Sequence, residues 1–582
     1  MGLRDLRLHL ASALGLSTPG AGSVLRTTTA DRTLSWLQEL WTSATEGHEQ
    51  PISVGSGVAL ACTGSLARGD GGPLSDLDLV LLHDGRAMSP TDLAEVADRL
   101  WYPLWDSGVG LDHSVRSAAQ CRQVASGDLA VAAAMLDLRP VAGDEKLVTS
   151  VSRQLAEDWR AQSRKRLPEL VEAVAERHRG AGDLSQSLQP DLKEARGGLR
   201  DMVVLQALTR SWLADRPHGA PDRAYAQLLD VRDALHVVTG RSRTILARED
   251  QQPVAELLGL EDADELLTVV SSAARVVHQA LYTTMRSARQ SQQARARRIG
   301  PRRPQLEPLG HGLYLHEGEV VLGRGSDLDD PLLVLRAAVA AASRGLPLGP
   351  ATVTNLATQG AQLSHPWPPA ARELLVALLD TGDGLLEVWE ALDQAGVVQR
   401  WLPAWTAVRS RPQRNGVHRH TVDRHLLETV LQASRGPSPR SRRDLLLVAA
   451  LLHDIGKVRG AQDHSRSGEP LARAAALDLG FCAADADLVA RLVREHLTLI
   501  GLATSRDPTD PQTLTEAAAA VDGRVEVVDL LAALTEADAR AVGGTVWTPW
   551  RATLLHSLTA HLRASLARGD DGGPGPHGAG QG

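Results

Sequence analysis

Aromatic side chains are scarce in this chain. Phe, Trp and Tyr together make 3% of 582 residues, with a single Phe. Cysteine is rarer still: Cys62, Cys121 and Cys482 lie far apart with no C-x-x-C pair. That spacing excludes a disulfide framework and a thiolate zinc site, and it fits a reducing cytoplasm. No apolar run of about 18 residues occurs, so no transmembrane helix is expected. The opening MGLRDLRLHLASALGL sets charges inside its apolar stretch, unlike a signal peptide. Positive charge is not in excess either. A net charge of −8 disfavours wholesale binding to nucleic acid. What remains is ordinary globular material, 43% hydrophobic and 23% charged. The length suits about three or four domains. Ala, Leu, Arg and Gly dominate, which suits packed helices. Little lysine beside much arginine points to GC-rich coding more than to chemistry.

The most informative stretch is ACTGSLARGDGGPLSDLDLVLL, residues 61–82. A short apolar run meets a Gly64-Ser65 turn, and Ser75-Asp76-Leu77-Asp78 opens a second apolar run. Residues two apart in a strand share a side, so Asp76 and Asp78 present two carboxylates together. Such a pair repels itself unless a hard cation such as Mg²⁺ lies between. Gly64-Ser65 offers backbone N–H groups that phosphate oxygens can approach. This combination suits transfer of a nucleotidyl group from a nucleoside triphosphate. The letters S-D-x-D alone are weak. Ser326-Asp327-Leu328-Asp329 repeats them next to Gly323 and Gly325, with Pro331 where a strand should begin, and reads as a loop.

Along the rest of the chain, residues 1–30 read as a short helix and a Gly/Ser/Pro-rich lead-in. Residues 33–44 carry apolar spacing typical of an amphipathic helix, and another helix is expected over 90–104. Residues 109–116 alternate like a strand, which makes Asp112 the candidate third carboxylate. Helical patterns cover 155–179 and 199–214. Between them, Lys193 and Arg200 flank Gly197-Gly198, a weak anion site against the plainer reading of a C-cap and a new helix. Arg232 and His236 share one helix face. The basic, apolar-poor segment 286–303 reads as an interdomain linker, 313–322 as a hairpin, and 332–400 as helices broken near Pro366–Pro369. The Gly-rich end reads as disordered.

A second cluster begins near Trp401. His425, His453-Asp454, His464, His496 and Asp538 recur within helical segments, with His453-Asp454 ending the apolar run 445–452. Adjacent His and Asp at a buried rim, completed by a distant His and Asp, can hold a divalent metal. The implied chemistry is phosphoester hydrolysis by metal-activated water.

GSLARGDGGPLSDLDLVLL resembles a DNA-polymerase-β-type nucleotidyltransferase core, and LLHDIGK resembles the HD phosphohydrolase signature. With residues 102–117, 188–206, 231–241, 420–431, 535–543 and 547–555, they resemble the bifunctional PII uridylyltransferase/uridylyl-removing enzyme family. The resemblance covers about residues 30–565. It implies a predominantly helical α+β chain: a lead-in (1–30), a nucleotidyltransferase domain (31–150) and a supporting helical bundle (151–300). A connecting hairpin and helices (301–400), an all-α HD domain (401–565) and a disordered tail (566–582) follow. By this resemblance Asp76 and Asp78 hold Mg²⁺, or Mn²⁺, and Asp112 joins them in catalysis. Gly64, Ser65, Arg68, Lys193 and Arg200 would bind UTP or ATP. His425, His453, Asp454 and Asp538 would hold the HD metal, with His464, His496 and Lys457 at a second metal or the phosphate. The implied partner is the PII signalling protein, modified on a tyrosine and restored by hydrolysis, with no membrane or nucleic-acid partner.

The chain departs from that family at Gly110, where many members carry a glutamate. It also ends without the two glutamine-sensing ACT domains, and no residue specifies uracil or adenine. A CCA-adding RNA enzyme also joins these two domain types. Its GGxVRD string precedes the carboxylates, whereas GGLRD here follows Asp78 by over a hundred residues. A non-catalytic PII-binding relic would have lost site residues, and none is lost.

Overall fold

The computed structural model describes residues 2–18, 20–46, 56–296, 306–414, 419–436 and 442–570. The chain divides into two compact units, Met1–Pro301 and Arg302–Gly582.

The first unit begins with α1 (Leu3–Leu14) and α2 (Ala21–Thr45). A small sheet follows: β1 (Val58–Thr63), the single turn α3 (Gly64–Arg68), β2 (Leu77–His83), α4 (Pro90–Asp106) and β3 (Leu111–Ser117). Next come α5 (Ala118–Gly127), α6 (Leu129–Met135) and β4 (Arg139–Gly143). The strand order is β3-β2-β1-β4. β1 is antiparallel to β2 and β4, whereas β2 and β3 run parallel with α4 as their crossover. VALACT is buried at every position of β1 because both faces are covered. Leu60, Cys62, Leu77, Leu79 and Leu81 pack against α2 and α4, while Ala59, Ala61, Val80 and Leu82 pack against α5, α6 and the next helix. Alternation therefore puts Asp78 on the same face as Val80 and Leu82.

That next helix is α7 (Glu145–Ala181), capped by Asp144, whose carboxylate accepts from the Lys146 and Leu147 N–H groups. Together with α8 (Leu199–Arg210), α9 (Ala220–Thr239), α10 (Arg248–Leu257) and α11 (Ala263–Ala296) it builds a helical bundle with its own core.

The second unit opens with the antiparallel sheet β5 (Glu307–Gly310), β6 (Leu313–His316) and β7 (Glu319–Leu322). Helices follow: α12 (Leu333–Ala342), α13 (Pro350–Gln359), α14 (Pro369–Leu379), α15 (Gly384–Gln394) and α16 (Val397–Trp401). The later set is α17 (Val422–Arg435), α18 (Arg443–Leu452), α19 (His464–Asp478) and α20 (Ala483–Glu495). It ends with α21 (Thr498–Ser505), α22 (Pro511–Ala520), α23 (Val525–Val542) and α24 (Pro549–Asp570). One hydrophobic core joins them, and α18 is buried from Leu445 through Leu452.

Three local expectations change. The lead-in is packed structure: α2 starts at Ala21, and both Leu3 and Leu25 are fully buried. The expected linker is helical through Ala296 because α11 keeps an apolar stripe, with Ala288 still in the core; 297–303 lies outside the described residues. Of the expected disordered tail, 566–570 continues α24 and 571–582 lies outside the described residues. Residues 323–330 form no strand, so the second S-D-x-D string is a loop.

Candidate functional site

In the first unit, Asp76 immediately precedes β2, Asp78 is its second residue, and Asp112 pairs with Asp78 in the parallel register of β3. Burial raises the Asp78 carboxyl above its usual range, and Asp112 and Asp76 push it further in the same direction, with Lys193 and Arg68 opposing them. A half-buried carboxylate pushed up by two neighbouring carboxylates is relieved by a cation, so the donor set fits a divalent metal.

Two glycines make this approach possible. Gly64 has φ +61°, and a Cβ there would lie 2.1 Å from Asp78 Oδ2. A Cβ on Gly110 would lie 2.1 Å from Asp76 Oδ1. Gly64 and Ser65 open α3 rather than a loose turn, and the Ser65 carbonyl accepts from the Asp70 and Gly71 N–H groups.

The basic residues differ in their engagement. Arg68 donates to Asp70 Oδ2 at 2.8 Å and to Asp137 Oδ2 at 2.8 Å. Lys193 is exposed and acts electrostatically on Asp78. Arg200 donates to Glu194 at 2.9 Å on an exposed surface. The Gly197-Gly198 turn is structural. A Cβ on Gly197 would lie 2.4 Å from the Ala274 carbonyl, and the Gly197 N–H donates to buried Asp201 at 2.7 Å.

In the second unit the buried helix α18 delivers His453 and Asp454 into the protein interior. His453 Nδ1 donates to the Ala450 carbonyl (2.9 Å), and His496 Nδ1 donates to the Val493 carbonyl (2.6 Å). Both rings therefore turn Nε2 toward the cluster, the usual way a second contact sets a metal-ligating tautomer. Two sets have donor atoms that all lie within 4.8 Å of one another: His425, His453 and Asp538, and Asp454, His464 and His496. Among the described residues these are the sets so gathered, and Asp76, Asp78 and Asp112 are not drawn together as closely.

Asp454 belongs to the second set and also faces the first. Its Oδ2 lies 3.5 Å from His453 and 3.7 Å from His425, while Oδ1 lies 3.4 Å from His464 and 3.7 Å from His496. Oδ1 is buried without a hydrogen-bond partner. A buried, orphaned carboxylate oxygen facing two imidazoles fits a cation. Lys457 Nζ sits 2.6 Å from Asp454 Oδ2 and also donates to Gln413 at 2.6 Å.

Electrostatics agree with that arrangement. Burial alone would raise Asp454, but His453, Lys457 and His496 hold it well below the carboxylate range. Burial likewise opposes a low value at Asp538, and hydrogen bonds from His425 and His453 overcome it. Burial, reinforced by His453, brings His496 down to about 4, so it is neutral and able to donate a lone pair.

Several contributors were not visible in the linear pattern. Asp70 is buried and accepts from the Tyr225 hydroxyl at 2.5 Å as well as from Arg68. Gln413 anchors Lys457, and the hydroxyl of Thr535 donates to the His496 carbonyl at 3.1 Å. Arg7, in the short helix of the lead-in, is buried. Its only signal was a charge at an apolar-face position of LRDLRLHL.

The profile of the family described as GlnD PII-uridylyltransferase matches residues 165–286, and the HD-domain profile matches 422–534. The chain is 47% identical over 575 residues to the bifunctional uridylyltransferase/uridylyl-removing enzyme of Streptomyces coelicolor, covering 96% of this chain and 67% of that relative. The like-named protein of Mycobacterium tuberculosis is 40% identical over 553 residues, covering 93% of this chain and 67% of the relative. That of Corynebacterium glutamicum is 36% identical over 510 residues, covering 86% and 71%. With a nucleotidyltransferase core in one unit and an HD cluster in the other, the chain belongs to the bifunctional uridylyltransferase/uridylyl-removing enzyme family.

Proposed function

We propose that the first unit transfers a uridylyl group from UTP to a tyrosine hydroxyl of a PII-type signalling protein, and that the second unit removes it by hydrolysis. The observation that carries the first half is the parallel register that pairs Asp112 with Asp78, two residues after Asp76. In that reading Asp76 and Asp78 hold the cation and the triphosphate, with Gly64, Ser65 and Lys193 facing phosphate oxygens. Asp112 accepts the phenolic proton. The tyrosine oxygen bonds to the α-phosphorus, the α–β phosphoanhydride breaks, and pyrophosphate leaves with the electron pair.

For removal, His425, His453, Asp454, Asp538, His464 and His496 form the metal set, and Lys457 faces the phosphate. A water oxygen bonds to phosphorus, the P–O(tyrosine) bond breaks, UMP departs, and the tyrosine oxygen regains a proton. A divalent cation, when bound at either site, offsets phosphate charge and lowers the pKa of the attacking oxygen. Carboxylates alone suit Mg²⁺ or Mn²⁺ in the first unit, whereas the imidazole-rich set of the second favours a transition ion such as Fe²⁺ or Zn²⁺.

The test incubates the chain with a PII protein, Mg²⁺ or Mn²⁺ and either UTP or ATP, reading PII mass. Asp76→Asn with Asp78→Asn should abolish modification and leave removal of a preformed uridylyl group intact. His453→Ala with Asp454→Ala should do the reverse. Modification surviving the first pair would sink the site assignment.

A further inference from the structure

The loop between α3 and β2, residues 70–75, ends where Asp76 begins, and it is held from behind by main-chain contacts. One guanidinium spans its turn: Arg7 Nη2 donates to the Gly72 carbonyl and Nη1 to the Ser75 carbonyl, each at 3.0 Å. Arg232 Nη2 donates to the Asp70 carbonyl at 2.7 Å. His236 Nδ1 accepts from the Leu74 N–H at 3.3 Å. All three side chains are buried and come from α1 and α9, outside the sheet that carries the carboxylates.

The holders are themselves held. Arg232 is paired with fully buried Asp233 at 2.6 Å, and Arg26 Nη1 bridges Asp233 at 2.8 Å and Asp230 at 2.7 Å. Packing at the loop is equally tight. A Cβ on Gly72 would lie 2.3 Å from Asp233 Oδ1 and 2.9 Å from Arg232 Nε, so only glycine lets the chain pass there. The loop also closes on itself, because the Gly72 N–H donates to Ser75 Oγ at 2.8 Å.

We propose that Arg7, Arg232 and His236 are positioning residues of the transferase site, fixing loop 70–75 so that Asp76 arrives in register with Asp78 and Asp112. This deepens the uridylyl-transfer reading and rests on it. None of the three touches the reacting atoms; each acts through main-chain atoms of the loop. A cation shared by carboxylates needs them placed to a fraction of an ångström, so loosening the loop weakens metal and nucleotide binding and slows transfer together.

The test uses the full chain. Arg7→Met removes both carbonyl contacts, Arg7→Lys restores one donor, and His236→Phe keeps ring shape without the acceptor. The extra Mn²⁺ binding that appears only when a non-hydrolysable UTP analogue is added is followed by electron paramagnetic resonance, beside transfer rates and the melting curve. Arg7→Met and His236→Phe should weaken Mn²⁺ binding about fivefold or more and slow transfer by roughly ten- to a hundredfold. Arg7→Lys should recover part of both losses. Uridylyl removal in the second unit should be unchanged.

Either of two results would overturn the proposal: parental Mn²⁺ affinity and transfer in both variants, or a lowered melting point and rate with unchanged Mn²⁺ affinity. If Arg7→Met does not fold, His236→Phe decides by the same readouts. The parallel variant Asp76→Asn separates the two levels. Full transfer in Asp76→Asn defeats the site reading itself, whereas inactivity there beside a parental Arg7→Met defeats only the clamp.

Discussion

At the scale of single residues, the transferase site depends on atoms that are missing. Gly64 and Gly110 each leave the space of one Cβ, and the carboxylates of Asp78 and Asp76 occupy those spaces. A side chain at 110 cannot share the site with Asp76 in its present position, which gives a steric reason for the proposed role of Asp112 as third carboxylate. His236 is a second residue-scale device. Burial and then the neighbouring Arg232 and Arg7 lower its pKa to about 3, against the opposing pull of the Arg243 main chain. The ring is therefore neutral in the fold and accepts from Leu74. Because the folded value lies below the unfolded one, its contribution is complete above about pH 6.5 and is lost as pH falls toward 3, by roughly 1.4 kcal/mol per pH unit. His236→Gln keeps an acceptor and does not titrate. The loss of unfolding midpoint between pH 7 and pH 5 should thus be smaller in His236→Gln than in the parent; equal losses would count against the assignment.

At the scale of elements, the turn before α8 is organised by one buried acid. Fully buried Asp201 accepts from Arg177 Nη2 at 2.5 Å and from the Gly197 N–H at 2.7 Å, with His178 Nε2 at 2.9 Å. Burial opposes its ionisation, and His178 and Arg177 hold its pKa down all the same. Removing one partner of such a network leaves buried charge uncompensated. Asp201→Ala should cost about 3–5 kcal/mol, read as a lowered melting transition. A loss under about 1 kcal/mol would mean the turn is held otherwise. Gly197-Gly198 between Lys193 and Arg200 reads as a weak anion site, and in the fold Gly197 packs closely on Ala274 while Gly198 packs on the Leu192, Lys193 and Ala195 carbonyls. Periodicity found α4, α7 and α8 because each buries a stripe spaced three or four residues apart, and α18 showed as a continuous apolar run that is buried on every side. Segment 286–303 reads as a linker because it is basic and poor in apolar residues, although α11 runs through Ala296 with Ala288 in the core and Arg289 exposed.

At the scale of the whole molecule, each unit carries its own charge cluster, one made of carboxylates and one rich in imidazole. The two clusters should therefore answer differently to metal exchange. Stripping the chain with a chelator should stop both transfer and removal. Adding back Mg²⁺ should restore transfer fully, whereas removal should recover better with Fe²⁺ or Zn²⁺. Identical metal profiles for the two reactions would argue against the donor-set distinction.

By itself the sequence determined what is written in consecutive residues. The carboxylate spacing of Asp76 and Asp78 and the His453-Asp454 pair ending an apolar helix follow from local periodicity and residue chemistry. The family resemblance then tied distant segments to them in order. Tertiary structure alone decided what depends on approach across the fold: the register that sets Asp112 beside Asp78, and the place of Asp454 in one triad and facing the other. It also decided that Arg7, in a helix that reads as a lead-in, grips the loop leading to Asp76. A hydrogen bond between residues 68 positions apart leaves no periodic trace in the chain, because its geometry exists only once the bundle has packed behind the sheet.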